Sequence, residues 1–136
     1  MNHMIIVGNP FVGKTSFINL IKKEPFNESY NPTINVYKTT TESFGLIEIP
    51  MISKMTEDMI ENCINIIIMV AANDLDSFKS IETYYNEYKK YNITFIICIN
   101  KYELYDNSSE KEAILNKYKG LHVMKISVKN KDCLFL

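Results

Sequence analysis

Apolar and polar positions alternate along this chain in two distinct rhythms. Short, nearly unbroken apolar runs occur at His3–Val7, Asn35–Ser43, Leu46–Ile49, Ile64–Ala71, Ile93–Asn100 and His122–Ile126, and they predict six strands. Ile66-Ile67-Ile68-Met69-Val70 and Phe95-Ile96-Ile97-Cys98-Ile99 contain no polar residue, as expected of central strands covered on both faces. Phe44-Gly45 predicts a tight turn that makes the second and third runs a hairpin. Between the runs the spacing becomes helical. Phe17, Ile18, Leu20 and Ile21 form a crowded stripe over Ser16–Lys23. Phe78, Ile81, Tyr84, Tyr85 and Tyr88 recur every three or four residues and predict a helix over Asp76–Tyr91, its tyrosines packed in the core. Ser109-x-x-Glu112 predicts a capping box opening a further helix, with Ala113, Ile114, Leu115 and Tyr118 as its apolar side and Gly120 as its end. Strands alternating with helices imply an α/β fold: one domain over residues 1–136, a mostly parallel six-stranded sheet, and helices on both faces.

One segment carries chemistry at once. Gly8-Asn9-Pro10-Phe11-Val12-Gly13-Lys14-Thr15 fits the phosphate-loop pattern G-x-x-x-x-G-K-[ST], after a strand and before a helix. Backbone N–H groups of such a loop and the helix N-terminus present positive charge to phosphates. The candidate phosphate-binding residues are Gly8, Phe11, Val12, Gly13, Lys14, Thr15 and Ser16. Lys14 is expected to reach the terminal phosphates and the Thr15 hydroxyl to ligate magnesium.

Composition narrows the field. A hydrophobic fraction of 46% and a charged fraction of 23% are those of a globular domain. A net charge of -1 gives no electrostatic reason to expect nucleic acid as a partner. All fifteen basic residues are lysine, so no arginine finger is available in cis; with no Arg and no insertion for a lid rich in Arg or Lys, the sequence argues against a kinase of small metabolites. Cys63, Cys98 and Cys133 are odd in number and widely spaced; Cys63 and Cys98 read as buried free thiols in a reducing compartment. No metal-ligand spacing links them to His3 or His122, which read as ordinary strand-end residues. A first strand beginning at His3 leaves no room for a leader peptide, and the expected location is cytoplasmic.

Later strand ends specify the nucleotide. Asn100-Lys101-Tyr102-Glu103 and Ser127-Val128-Lys129 follow the fifth and sixth runs. In these segments the chain resembles the small GTPases of the Ras superfamily, whose guanine-reading motifs are N-K-x-D and S-A-K. Asp76-Ser77-Phe78 looks most like the Rab branch. The resemblance implies a P-loop NTPase fold of the small-GTPase kind and GTP or GDP bound with Mg2+. It further implies a switch in vesicle trafficking or signalling, working in the cytoplasm or at the cytosolic face of membranes. Carried over by position, Asn100 braces the phosphate loop, Lys101 lies along the base plane, and Glu103 stands where the family has Asp. Ser127, Val128 and Lys129 complete the base site, the Val128 N–H reaching the base oxygen. Phe26-Asn27-Glu28-Ser29-Tyr30-Asn31-Pro32-Thr33-Ile34 resembles the first switch: Phe26 would stack against guanine, and Thr33, nineteen positions after Lys14, would bind magnesium. Effector or regulator proteins are then expected to meet Phe26–Ile34.

Three departures qualify that expectation. The family's D-x-x-G-Q run corresponds to Ile49-Pro50-Met51-Ile52-Ser53-Lys54-Met55, which has no Asp, Gly or Gln, so hydrolysis is expected to be weak. Glu57 and Asp58 downstream are the candidate replacements for the missing carboxylate. Pro10-Phe11 puts bulk where the family has small residues, with a ring near the γ-phosphate. The chain reaches Leu136 where the family's last helix would begin, predicting truncation before that helix, an uncovered sheet face and self-association through it. Cys133-Leu134-Phe135-Leu136 has two readings: the stub of that helix, or a C-a-a-X prenylation signal that alone would bring the protein to a membrane. The rival to a GTPase is a non-catalytic pseudo-GTPase scaffold acting through protein contacts.

Overall fold

The structure is a computed structural model and describes residues 3–21, 37–40, 45–49, 57–127 and 132–135. In chain order the elements are β1 (His3–Val7), α1 (Lys14–Ile21), β2 (Tyr37–Thr40), β3 (Gly45–Glu48), α2 (Glu57–Ile60), β4 (Cys63–Ala71), α3 (Leu75–Tyr88), β5 (Thr94–Asn100), α4 (Ser109–Lys117), β6 (His122–Ser127) and β7 (Asp132–Phe135). Seven strands form one sheet in the order β2-β3-β1-β4-β5-β6-β7. The five central strands run parallel, and β2 and β7 pair antiparallel at the two edges.

The strand count differs from the expected six because of β7. Cys133 pairs with Ile126 and Phe135 with Met124, so this segment is an edge strand and not the stub of a helix. A run of four residues is too short to carry a period, which is why its apolar residues were ambiguous. Backbone pairing also distinguishes the Cys133 segment from a free extended tail.

Alternation along the strands sorts the core into two layers. Ile5, Val7, Ile66, Ile68, Val70, Ile97 and Ile99 face α3, whose Phe78, Ile81, Tyr84 and Tyr88 are buried against them. The tyrosine stripe is therefore core packing, as its period predicts. Ile6, Ile67, Met69 and Cys98 point the opposite way, toward Phe17 and Ile18 of α1. Each large apolar side chain buried in this way contributes about 1.5–3 kcal/mol. Phe17 and Ile18 thus anchor α1, and with it the loop that precedes the helix. Cys98, Met124 and Ile126 on this layer are buried, so the apolar face expected to stand open is closed at those positions.

Helix ends differ in detail from the sequence pattern. The Asp74 carboxylate accepts from Asp76 N and Ser77 N to cap α3, and the predicted last turn, Lys89–Tyr91, is 3₁₀ and ends at left-handed Asn92. Ser108, not Ser109, caps α4, its hydroxyl accepting from Lys111 N. The helix closes at Tyr118, before Gly120. Ile114, Leu115 and Tyr118 pack on the core as their spacing predicts, whereas Ala113 is exposed and Lys111 is buried. Cys98 is buried and Cys63 only partly so; both are free thiols. Burial raises the Cys63 thiol to about 11. No helix among the described residues is long and apolar enough to cross a membrane.

Candidate functional site

Parallel register brings the C-terminal ends of the strands to one rim. Ile6 lies beside Glu48, Val7 beside Ile68, and Ala71 beside Asn100. In open parallel sheets this rim is where ligands bind. The segment Gly8–Gly13 leaves β1 there and turns directly into α1. Gly8 packs so tightly under β4 that a Cβ would come within 2.6 Å of the Met69 carbonyl oxygen. Gly13 has φ +101, and a Cβ on it would land on the Asn100 side-chain amide. Both motif glycines are therefore required by close approach. Phe11 also adopts a positive φ, +67, although it carries a large side chain; a bulky residue there is strained.

Asn100 and Lys101 close one side of this loop. The Asn100 Nδ2 group donates to the Val12 carbonyl oxygen at 2.9 Å, and its Oδ1 accepts from Lys101 N at 2.8 Å. Lys101 Nζ donates to the Phe11 carbonyl oxygen at 3.2 Å. Two consecutive loop carbonyls are thus pinned by the last residue of β5 and the residue that follows it. Glu103 lies in the short 3₁₀ turn Tyr102–Leu104, and Ser127 at the end of β6 donates its hydroxyl to the Glu103 carboxylate at 2.9 and 3.1 Å. Asn100 and Lys101 thus meet the loop directly, and the Glu103–Ser127 pair follows two residues further along the same turn. Ser16 follows Thr15 in the first turn of α1. Phe26, Thr33, Val128 and Lys129 lie outside the described residues.

The remaining wall holds a residue that the motifs did not reveal. Thr15 Oγ1 donates to the Glu48 carboxylate, at 3.0 Å to one oxygen and 2.9 Å to the other. Glu48 is 1% exposed. It ends β3, just before the run Ile49–Met55, and supplies a carboxylate next to the loop threonine. Glu57 and Asp58 instead open α2, and their side chains lie outside the described set. The signal in the sequence was a lone acid inside Leu46-Ile47-Glu48-Ile49, at the end of a strand bordering β1. A buried carboxylate in such a position needs a partner.

Charge in the site is poorly solvated. Lys14 is 2% exposed, and its ammonium donates to the Gly8 and Asn9 carbonyl oxygens at 2.6 and 2.9 Å. Burial lowers it from the ordinary lysine value to about 8, with the Glu48 charge opposing. Burial likewise raises the Glu48 carboxyl, against the Thr15 hydrogen bond and the Lys14 charge. Each ion is underpaid by its surroundings: Lys14 would be favoured by an anion and Glu48 by a cation. Thr15 and Glu48 offer only hard oxygen donors, the chemistry of magnesium held by one or two protein groups plus phosphate. Among the described residues no cluster of three or more His, Cys, Asp or Glu could hold a metal without such help. From the far side Tyr84 Oη reaches Asn9 Oδ1 at 3.5 Å, joining α3 to the loop.

No protein-family model matches the chain, and no curated protein aligns with it significantly. The functional reading therefore stands on the site and on the motif resemblance.

Proposed function

We propose that this chain binds guanine nucleotide with Mg2+ and works as a small-GTPase-like switch with weak hydrolysis. The observation that carries this reading is the bond from Asn100 Nδ2 to the Val12 carbonyl, which joins the turn resembling N-K-x-D to the phosphate loop. Two unrelated turns have no reason to meet in this way. In the proposed complex the loop N–H groups and Lys14 hold the β- and γ-phosphates. Magnesium, when bound, neutralises charge on the phosphate oxygens, and Thr15 with Glu48 would hold it. Glu103, oriented by Ser127, accepts from the guanine N1–H and N2 amine, a donor pair that adenine lacks. Lys101 lies along the base. The fold is on this reading that of a P-loop NTPase of the small-GTPase kind, with vesicle trafficking as the setting the resemblance suggests.

A melting-shift assay with GTP, GDP and ATP, with and without Mg2+, tests the reading. Stabilisation by GTP and GDP but not ATP, strengthened by Mg2+ and lost in Lys14→Ala, is the expected result. No response to micromolar guanine nucleotide would sink it. A second reading, the non-catalytic pseudo-GTPase scaffold, is favoured by the lack of Asp, Gly and Gln over Ile49–Met55 and of any arginine. On that reading Lys14→Ala changes neither melting nor partner binding.

A further inference from the structure

We propose that Lys111 is a positioning residue for base recognition, clamping the segment that carries Lys101 and Glu103 to the end of β4. The proposal rests on the guanine-nucleotide reading above. Lys111 sits in α4, away from the loop, and is 4% exposed. Its ammonium donates to the Ala72 carbonyl oxygen at 2.8 Å and to Asp106 Oδ1 at 3.1 Å. Ala72 in turn donates its N–H to the Asn100 carbonyl oxygen at 2.8 Å. One residue beyond β4 thus holds both ends of the base-reading segment. It holds Asn100 directly and Asp106 through Lys111.

What lies between the two ends is a compact turn, closed by Leu104 N donating to the Lys101 carbonyl oxygen at 2.8 Å and Tyr105 N to that of Tyr102 at 3.0 Å. Tyr102 and Tyr105 stack at 5.3 Å, Tyr105 stacks on Phe78 at 6.3 Å, and Lys125 Nζ lies 4.5 Å from the Tyr102 ring centre. Stacked rings resist separation but permit sliding. Ser127 orients the Glu103 carboxylate, while the position of the whole turn against the loop is set by where its ends are fixed. Lys111 Nζ also lies 5.9 Å from the Phe78 ring centre, so an apolar side chain would fill this space without the desolvation cost of a buried ammonium. An apolar group cannot bridge a carbonyl and a carboxylate, whereas an ammonium has three donors to do so. The bridge is what the lysine adds.

The test is calorimetric titration of the full chain with GDP, ADP and inorganic pyrophosphate in Mg2+, for wild type, Lys111→Met and Lys111→Arg. Misplacing a recognition group by a fraction of an ångström is expected to lower GDP affinity about tenfold in Lys111→Met and leave pyrophosphate affinity within about twofold. The GDP-to-ADP preference falls by the same factor, and Lys111→Arg restores it. Amide exchange over residues 101–106 of the nucleotide-free protein is expected to quicken in Lys111→Met while β4 and β5 stay protected. A parallel fall in GDP and pyrophosphate affinity, or an unchanged GDP-to-ADP ratio, overturns the proposal. Should Lys111→Met fail to fold, Asp106→Ala at an exposed position cuts the same clamp; an unchanged ratio and unchanged exchange there also overturn it. A wild-type chain that binds pyrophosphate without preferring GDP to ADP refutes the base-site assignment itself, and the exchange data separate that failure from this one.

Discussion

Glu48 and Thr15 face each other across the rim of the sheet, the hydroxyl of one donating to both carboxylate oxygens of the other at 3.0 and 2.9 Å. The last residue of β3 and the last residue of the phosphate-loop motif are thereby a single unit. On the proposed function Glu48 supplies the charge that favours a cation, and Thr15 supplies the ligand oxygen.

Glu48→Gln keeps an acceptor for Thr15 but removes the charge. The nucleotide-free protein is expected to melt no lower than wild type, because a buried carboxylate with one hydroxyl partner is costly to desolvate. The gain in GDP affinity on adding Mg2+ should shrink about tenfold, the scale of losing a group that supports a metal. Titrations in Mg2+ and in EDTA measure this directly, and a magnesium response equal to wild type would count against Glu48.

Glu103 accepts both of its described hydrogen bonds from Ser127 Oγ. Glu103→Ala should cost GDP about 2 kcal/mol, roughly thirtyfold, as expected for lost hydrogen bonds to a charged group. ADP and pyrophosphate affinities should stay close to wild type. Competition of the three ligands against a fluorescent guanine nucleotide reads the difference.

The Lys14 ammonium, lowered to about 8, sets a pH dependence. Between about 8 and 10.5 the unfolded chain holds this proton and the folded, nucleotide-free chain does not, so the free protein gains stability as pH rises through that window. Nucleotide binding has the opposite sign. Phosphate favours the charged lysine, binding takes up a proton above about pH 8, and affinity falls there by up to about tenfold per pH unit. Lys14→Arg remains charged throughout and should flatten the profile. Fluorescence titrations across neutral and alkaline pH check both curves.

Phe11 holds φ +67 and is 59% exposed. A left-handed conformation costs a non-glycine residue about 1–2 kcal/mol, partly offset in Phe11→Gly by the greater freedom of glycine in the unfolded chain. The net expectation is a fold stabilised by about 0.5–1 kcal/mol, a melting point roughly 2–4 °C higher. A lower melting point would mean that the Phe11 ring makes contacts worth more than the strain.

Much of this arrangement was legible in the sequence. The strand-to-helix setting of Gly8–Thr15 placed the loop, and the apolar runs placed the five parallel strands. Asn100 was assigned to brace the loop, and its amide does so at Val12. Less legible were residues whose role depends on tertiary register. Glu48 reads as one acid in an apolar strand until the pairing of Ile6 with Glu48 brings it beside the end of β1. Lys111 gives no local signal of burial, because the carbonyl and carboxylate it bridges belong to the end of β4 and the turn after β5. β7 had too few residues to show a period. Local pattern specifies elements, while the chemistry of the rim depends on which strand ends come to lie together.

The contact between Gly13 and the Asn100 amide has one more consequence. Because the amide occupies the space a Cβ would need, the loop and the turn after β5, which on the proposed function reads the base, cannot shift independently. Guanosine and pyrophosphate, offered as separate fragments, should therefore bind cooperatively: whichever arrives first orders the wall that the other will use.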